Sequence, residues 1–234
     1  MSSSPTPQSS MPQPKSRPKE YVSPDLTQLF VATVAALLVG AIDFVVPNSV
    51  VFGPPWLLVT IEAVLLAPVV IAAISVRISL PYHIARLLAM VLLVVLALSL
   101  IASIMLLVTH IPTLTGYSLL ESGGLLWAAN VLVFALWYWE TDGNGPPMRL
   151  ENCYSAADFQ FTQQIGGNPT NWAPGFVDYL FLAFCTSTAL SPADVMPLTR
   201  RAKVLMMLQA VISMVILVLL VARSVNIIGQ GAPG

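Results

Sequence analysis

Long apolar runs broken at intervals by proline set the pattern of this chain. A bilayer core about 30 Å thick takes about 20 apolar residues of helix, and five runs reach that length: Leu26 to Val46, Trp56 to Val76, Ile84 to Thr109, Tyr117 to Trp139 and Val204 to Ile228. Pro47, Pro54-Pro55, Pro81, Pro112 and Pro146-Pro147 fall between or after the first four, where residues that cannot continue a helix belong. Pro68 lies inside the second run and predicts a kink there. A sixth apolar stretch, Phe176 to Leu190, has only 15 residues. That length predicts a half-helix that enters and returns, an arrangement tolerated at membrane depth where other helices bury its irregular end.

The polar segments complete the division. Residues 1–24 are rich in Ser, Pro and Gln and read as a disordered tail with no apolar core of a signal peptide. Residues 25–139 hold four helices, residues 140–173 form a polar loop, and residues 174–234 hold the half-helix, a turn and the last helix. In the loop, Phe159 and Phe161 alternate with polar residues, which suits a segment lying on the membrane interface or a binding lid. Trp56, Tyr117, Trp137, Tyr138 and Trp139 sit at run ends, as an interfacial aromatic belt would.

Composition agrees with the pattern: 56% of residues are hydrophobic, 9% are charged, and the mean hydropathy is +0.81. A soluble domain carries about a quarter charged residues, so the expectation is an all-α integral membrane bundle of five transmembrane helices plus a re-entrant half-helix. The net charge of −1 gives no electrostatic footprint for nucleic acid. Cys153 and Cys185 lie in segments of different depth and read as two thiols, not as a disulfide.

Lys and Arg orient the chain. With five crossings and the N-terminus inside, Lys15, Arg17, Lys19, Arg77, Arg86, Arg149, Arg200, Arg201 and Lys203 face the cytoplasm and Arg223 alone does not. The short loops assigned outside, Pro47 to Pro55 and His110 to Gly116, carry neither residue type. The expected location is a bacterial inner membrane, multi-pass, with the N-terminus cytoplasmic.

Residues 178 to 199 carry the most specific chemistry. An apolar helix containing Asp178 is followed by Thr186, Ser187 and Thr188, a turn, Asp194, Pro197 and Thr199. This resembles the pore-loop cation channels, in which T-T-V-G-Y-G-D-x-x-P-x-T precedes the inner helix; Thr188, Asp194, Pro197 and Thr199 fall on matching positions. The resemblance implies a pore-like loop with Thr186, Ser187, Thr188, Ser191 and Asp194 as filter-like residues. Both filter glycines and the tyrosine are replaced, by Ser191, Ala193 and Pro192, and a carbonyl-lined filter needs backbone angles that glycine reaches cheaply. Potassium selectivity is therefore not expected. An ordinary helical hairpin with a capped turn remains the alternative shape. The charge count brings the loop in from the cytoplasm, the inverted arrangement of glutamate-receptor pores.

W-Y-W-E at Trp137 to Glu140, D-F-Q-F at Asp158 to Phe161, F-V-D-Y-L-F-L-A-F at Phe176 to Phe184, S-P-A-D-V-M-P-L-T at Ser191 to Thr199, M-M-L-Q at Met206 to Gln209 and A-R-S-V-N-I at Ala222 to Ile227 together resemble an uncharacterised family of bacterial multispanning membrane proteins, a domain of unknown function. That resemblance implies the architecture and no activity.

Four ionisable residues fall inside apolar runs: Asp43, Glu62, Glu121 and Arg223. Such groups are costly in a bilayer and are candidates for function. At 1.5 Å of rise per residue they share one layer, Asp43 about 6 Å before Pro47, Glu62 about 9 Å past Trp56 and Glu121 about 6 Å past Tyr117. Arg223 then neutralises one or two carboxylates, or the three carboxylates form a proton or cation site with excess negative charge.

Other candidates are weaker. His83 and His110 are isolated, no metal-ligand spacing or cofactor motif is present, and no histidine is placed to activate a serine near Ser187 to Ser191. Ser122-Gly123-Gly124 suits helix packing, and Met206, Met207 and Met214 suit apolar packing. An enzyme is not expected. The leading reading is a pore-loop-like membrane protein that conducts a cation or proton as a homo-oligomer, a tetramer if it encloses a pore. The alternative is a non-conducting structural or accessory protein whose partner is the lipid bilayer.

Overall fold

The computed structural model describes residues 26–47, 50–51, 53–54, 56–74, 81–112, 114–170, 172–188 and 195–230, without the side chains of 26, 28, 72–74 and 223–230. The N-terminal tail, Ser191 and Asp194 lie outside the described residues, as does the side chain of Arg223.

The described chain is mostly helical: α1 (Leu26–Val45), α2 (Trp56–Ile74), α3 (Tyr82–His110), α4 (Gly116–Thr141), α5 (Pro146–Glu151), α6 (Phe176–Ser187) and α7 (Arg200–Gln230). The apolar runs predict α1 to α4 and α7 within a few residues. Among the described residues, three helical stretches are long and apolar enough to cross a membrane: Tyr82–His110, Gly116–Asn144 and Arg200–Ala222. Leu29–Val45, Trp56–Ile71 and Phe176–Ser187 are apolar but shorter. Pro68 is carried inside α2, where its missing N–H leaves a carbonyl of the preceding turn without its usual donor.

Helix α4 is the centre of the bundle, packed against α1, α3, α6 and α7. Its buried residues include Leu119, Leu126, Ala129, Val133, Phe134 and Tyr138, and they extend to more than one face. Such burial is what a helix surrounded by others requires. A side chain at Gly123 would overlap Leu220 of α7, so glycine lets that helix approach. Gly124 meets nothing of the kind. Helix α3 buries one stripe, Leu92, Leu93, Leu96, Leu100, Ser103, Ile104 and Leu107, at the three- and four-residue spacing of a single helical face.

Helix α7 is different. It buries only a narrow line, including Ala202, Gln209, Ser213 and Ile216, while Val204, Met207, Leu208, Val211, Met214, Val218 and Val221 are exposed. An exposed apolar surface of this extent is unusual for a water-soluble monomer.

The segment between α4 and α6 is folded. Strand β1 (Phe159–Phe161) pairs antiparallel with β2 (Val195–Pro197), with Phe159 opposite Pro197 and Phe161 opposite Val195. Phe159 and Phe161 are buried. Phe159 meets Tyr138 and Tyr179 edge-on, and Phe161 meets Tyr179 and Trp172. Their alternation thus marks a strand with one face in the protein core. Tyr138 and Trp139 are likewise core residues, 0% and 8% exposed, not members of an interfacial belt, whereas Trp56 and Tyr117 at other helix ends are exposed.

Candidate functional site

Two buried carboxylates tie the polar segment to the bundle. The turn after α4 runs Asp142-Gly143-Asn144-Gly145, with φ of 56°, 66° and 95° at the last three. Glycine reaches that left-handed region without the strain a Cβ brings. A side chain at Gly145 would also meet Glu140 at 3.2 Å. The tight turn leaves the last carbonyls of α4 without helical donors, and Arg149 of α5 supplies them. Its Nη1 donates to Trp139 O at 2.5 Å and Asp142 O at 2.9 Å. The guanidinium lies 5.2 Å from the Tyr179 ring and 5.9 Å from that of Trp139. A cation at this helix end also suits the helix dipole.

Asp142 accepts from the backbone N–H of Asp158 at 2.9 Å and of Phe159 at 3.1 Å on one oxygen, and from Tyr179 Oη at 2.5 Å on the other. Asp158 accepts from Arg201 Nε at 2.5 Å and Nη2 at 2.6 Å, a two-pronged pair, and from Thr199 Oγ1 at 2.5 Å and Gly143 N at 3.1 Å. Burial pushes the Asp158 carboxyl up, but these donors outweigh it and hold the group below its usual range. Its backbone carbonyl accepts from Leu198 N at 2.8 Å. Asn144 adds α3, because its carbonyl accepts from Tyr82 Oη at 2.7 Å and from Arg86 Nη1.

This latch sets where α6 begins and where the chain returns at Val195. The chain leaves beside the end of α4, where Phe176 meets Trp139 and Tyr179 reaches Asp142, and it is back at β1 by Val195. Between those points α6 points into the bundle, its first turn closed by Asp178, whose carboxylate accepts from Gly175 N at 2.7 Å. Its last turn meets α4 and α7, where Phe184 packs on Trp127.

The hydroxyls at the end of α6 are engaged within this one chain. Thr186 Oγ1 donates to Leu182 O at 2.8 Å and Thr188 Oγ1 to Phe184 O at 3.0 Å. Ser187 accepts from Gln209 Nε2 at 2.8 Å, Gln209 also donates to Ala183 O at 2.8 Å, and Tyr138 Oη donates to Gln209 Oε1 at 2.5 Å. One turn deeper along α7, Ser213 accepts from Asn130 Nδ2 at 2.7 Å.

Of the four ionisable residues in the apolar runs, Asp43 and Glu62 come together. Glu62 is fully buried and packs on α1 at Gly40, where any side chain would overlap its carboxylate. Asp43, three residues on from Gly40 and so on the same helical face as the Glu62 contact, is 7% exposed. Glu121 is exposed, and the Arg223 side chain lies outside the described residues. Among the described residues no group of three or more His, Cys, Asp and Glu is placed to hold a metal ion.

Asp142, Asp158, Arg149, Arg201, Tyr179 and Gln209 are absent from the sequence-derived candidates. The D-G-N-G turn and the T-R-R run following the β2 prolyl are the traces they leave in the sequence, and neither says which residue meets which.

No family model, curated protein or solved structure matches this chain.

Proposed function

We propose that the chain is a bacterial cell-membrane protein with five crossings, α1 to α4 and α7, into which α6 intrudes as a half-helix from the cytoplasmic face. We infer that it acts, as a homo-oligomer, as a pore-loop-like permeation element for a cation or proton without potassium selectivity. The observation that carries this reading is the common anchorage of both ends of the 176–198 segment: Tyr179 on Asp142 at the start, Leu198, Thr199 and Arg201 on Asp158 at the return. A helix of 12 residues spans about 18 Å, too little to cross, and one anchored this way does not need to. The exposed apolar face of α7 suits lipid or a neighbouring subunit, and Arg86, Arg149, Arg200, Arg201 and Lys203 belong to the segments gathered at the latch end, as positive-inside orientation requires.

A specific observation favours the second reading, a non-conducting accessory protein. Thr186, Ser187 and Thr188 all hold hydrogen bonds inside one chain, and an ion would have to displace those bonds to be coordinated there. Reconstitution into proteoliposomes with K⁺, Na⁺ and H⁺ gradients separates the two, together with the mass of the detergent-solubilised assembly. The expected result is weakly selective cation or proton flux from a tetramer. Strong preference for K⁺ over Na⁺ contradicts the filter argument, and absence of any flux transfers the assignment to the accessory role.

A further inference from the structure

We propose that Glu62 is a proton-binding carboxyl group enclosed between α1 and α2, and that Asp43 is its partner in holding and releasing the proton. This rests on the membrane placement of α1 and α2 given above and is independent of conduction past α6.

A carboxyl group withdrawn from water has three stable outcomes: an ion pair, a metal ion, or a proton. Glu62 is 0% exposed, and among the described residues neither of its oxygens has a hydrogen-bond partner. Among the described residues the ion pair lacks a cation: Arg86, Arg149, Arg200, Arg201 and Lys203 belong to the end of the bundle where α3 begins and α4 finishes, and the side chain of Arg223, which the sequence puts at the depth of this pair, lies outside the described residues. Glu62 and Asp43 lie toward the other end, near the α1–α2 connection. His110, at the C-terminus of α3, directs Nδ1 to Leu106 O at 2.9 Å, and Glu121 of α4 is exposed.

A metal ion lacks ligands among the described residues. Hard cations take about six oxygens, and the hydroxyls that α1 and α2 carry nearest this pair, Thr33 and Thr60, donate to carbonyls of their own helices, Leu29 O and Trp56 O. Two carboxyl groups with no cation among the described residues point to the proton. Two neighbouring carboxylates do not both ionise readily, so one proton held by the pair is the stable state.

Geometry also gives the direction of exchange. Gly40 leaves the space that the Glu62 carboxyl fills, closing the site on the α1 side. Asp43 is the more exposed of the two and lies nearer the helix end, so it is the group through which the proton passes to and from water.

A hydrophobic carbodiimide reacts with protonated carboxyl groups in apolar surroundings, and peptide mapping by mass spectrometry locates the adduct. On the purified full-length chain the expected result is modification of Glu62, absent in Glu62→Gln. Removing the neighbouring charge in Asp43→Asn lowers the proton affinity of Glu62. Labelling at mildly alkaline pH then falls by roughly three- to tenfold, because the negative charge that favours the proton on Glu62 is gone. Labelling confined to other carboxyl groups, or labelling of Glu62 unchanged by Asp43→Asn, overturns the proposal. Labelling of Glu62 with no ion flux in proteoliposomes leaves this site standing and removes the permeation reading alone.

Discussion

Replacing Asp142 with alanine is expected to lower the stability of the purified protein by about 4 kcal/mol, the largest effect of any single substitution in the polar segment. The carboxylate accepts three buried donors, the N–H groups of Asp158 and Phe159 and the hydroxyl of Tyr179. Alanine leaves all three without a partner, and a buried donor left unsatisfied costs about 1–3 kcal/mol. The Tyr179 hydroxyl has some freedom to turn, whereas the two backbone groups are held by β1, which places the sum below the maximum. Asp142→Asn keeps an acceptor for the backbone pair and should cost about half as much. Denaturant titration in detergent measures both, and a loss under about 1 kcal/mol for alanine would show that the latch does not hold α6.

Gln209→Leu is expected to cost about 2 kcal/mol by a different route. Gln209 is fully buried and accepts the hydroxyl of Tyr138, also fully buried. Leucine strands that hydroxyl, while Ser187 retains nearby helix carbonyls to which its own hydroxyl can turn. Replacing both partners of a buried hydrogen bond by apolar groups is close to neutral. Tyr138→Phe combined with Gln209→Leu should therefore recover most of the loss, giving a coupling of about 1–2 kcal/mol in a double-mutant cycle. Additive losses would mean that Gln209 stabilises α7 through packing and not through Tyr138.

The helices were legible because apolar length and proline punctuation are local properties. Leu26–Val45, Tyr82–His110 and Gly116–Thr141 follow from runs that no non-helical backbone tolerates in apolar surroundings. Position along each helix was legible for the same reason, since rise per residue is fixed. Facing was not: Asp43, Glu62 and Glu121 share a depth by count, yet Glu62 turns onto Gly40 while Glu121 is exposed. Rotation about each helix axis is set by packing against neighbours.

The latch was hidden for a related reason. Asp158 meets Arg201 across 43 positions and Asp142 meets Tyr179 across 37, and no spacing rule reaches so far. Phe159 and Phe161 gave a period of two that a lone strand shares with an interfacial loop; only pairing with Val195 and Pro197 decides between them. Tyr138 and Trp139 sit where an aromatic belt is expected, and the folded segment beneath α4 covers them instead.

Side-specific thiol labelling tests most directly the claim that the chain enters and leaves through one face. Cys153 is exposed in the polar segment before α6, Met196 is 60% exposed in the strand after it, and Tyr117 is 76% exposed at the opposite end of α4. In single-cysteine variants treated with an impermeant reagent, Cys153 and Met196→Cys should react only in inverted vesicles, and Tyr117→Cys only in intact spheroplasts. Reaction of Met196→Cys in intact spheroplasts, with Cys153 silent there, would make residues 176–198 a full crossing and contradict the account.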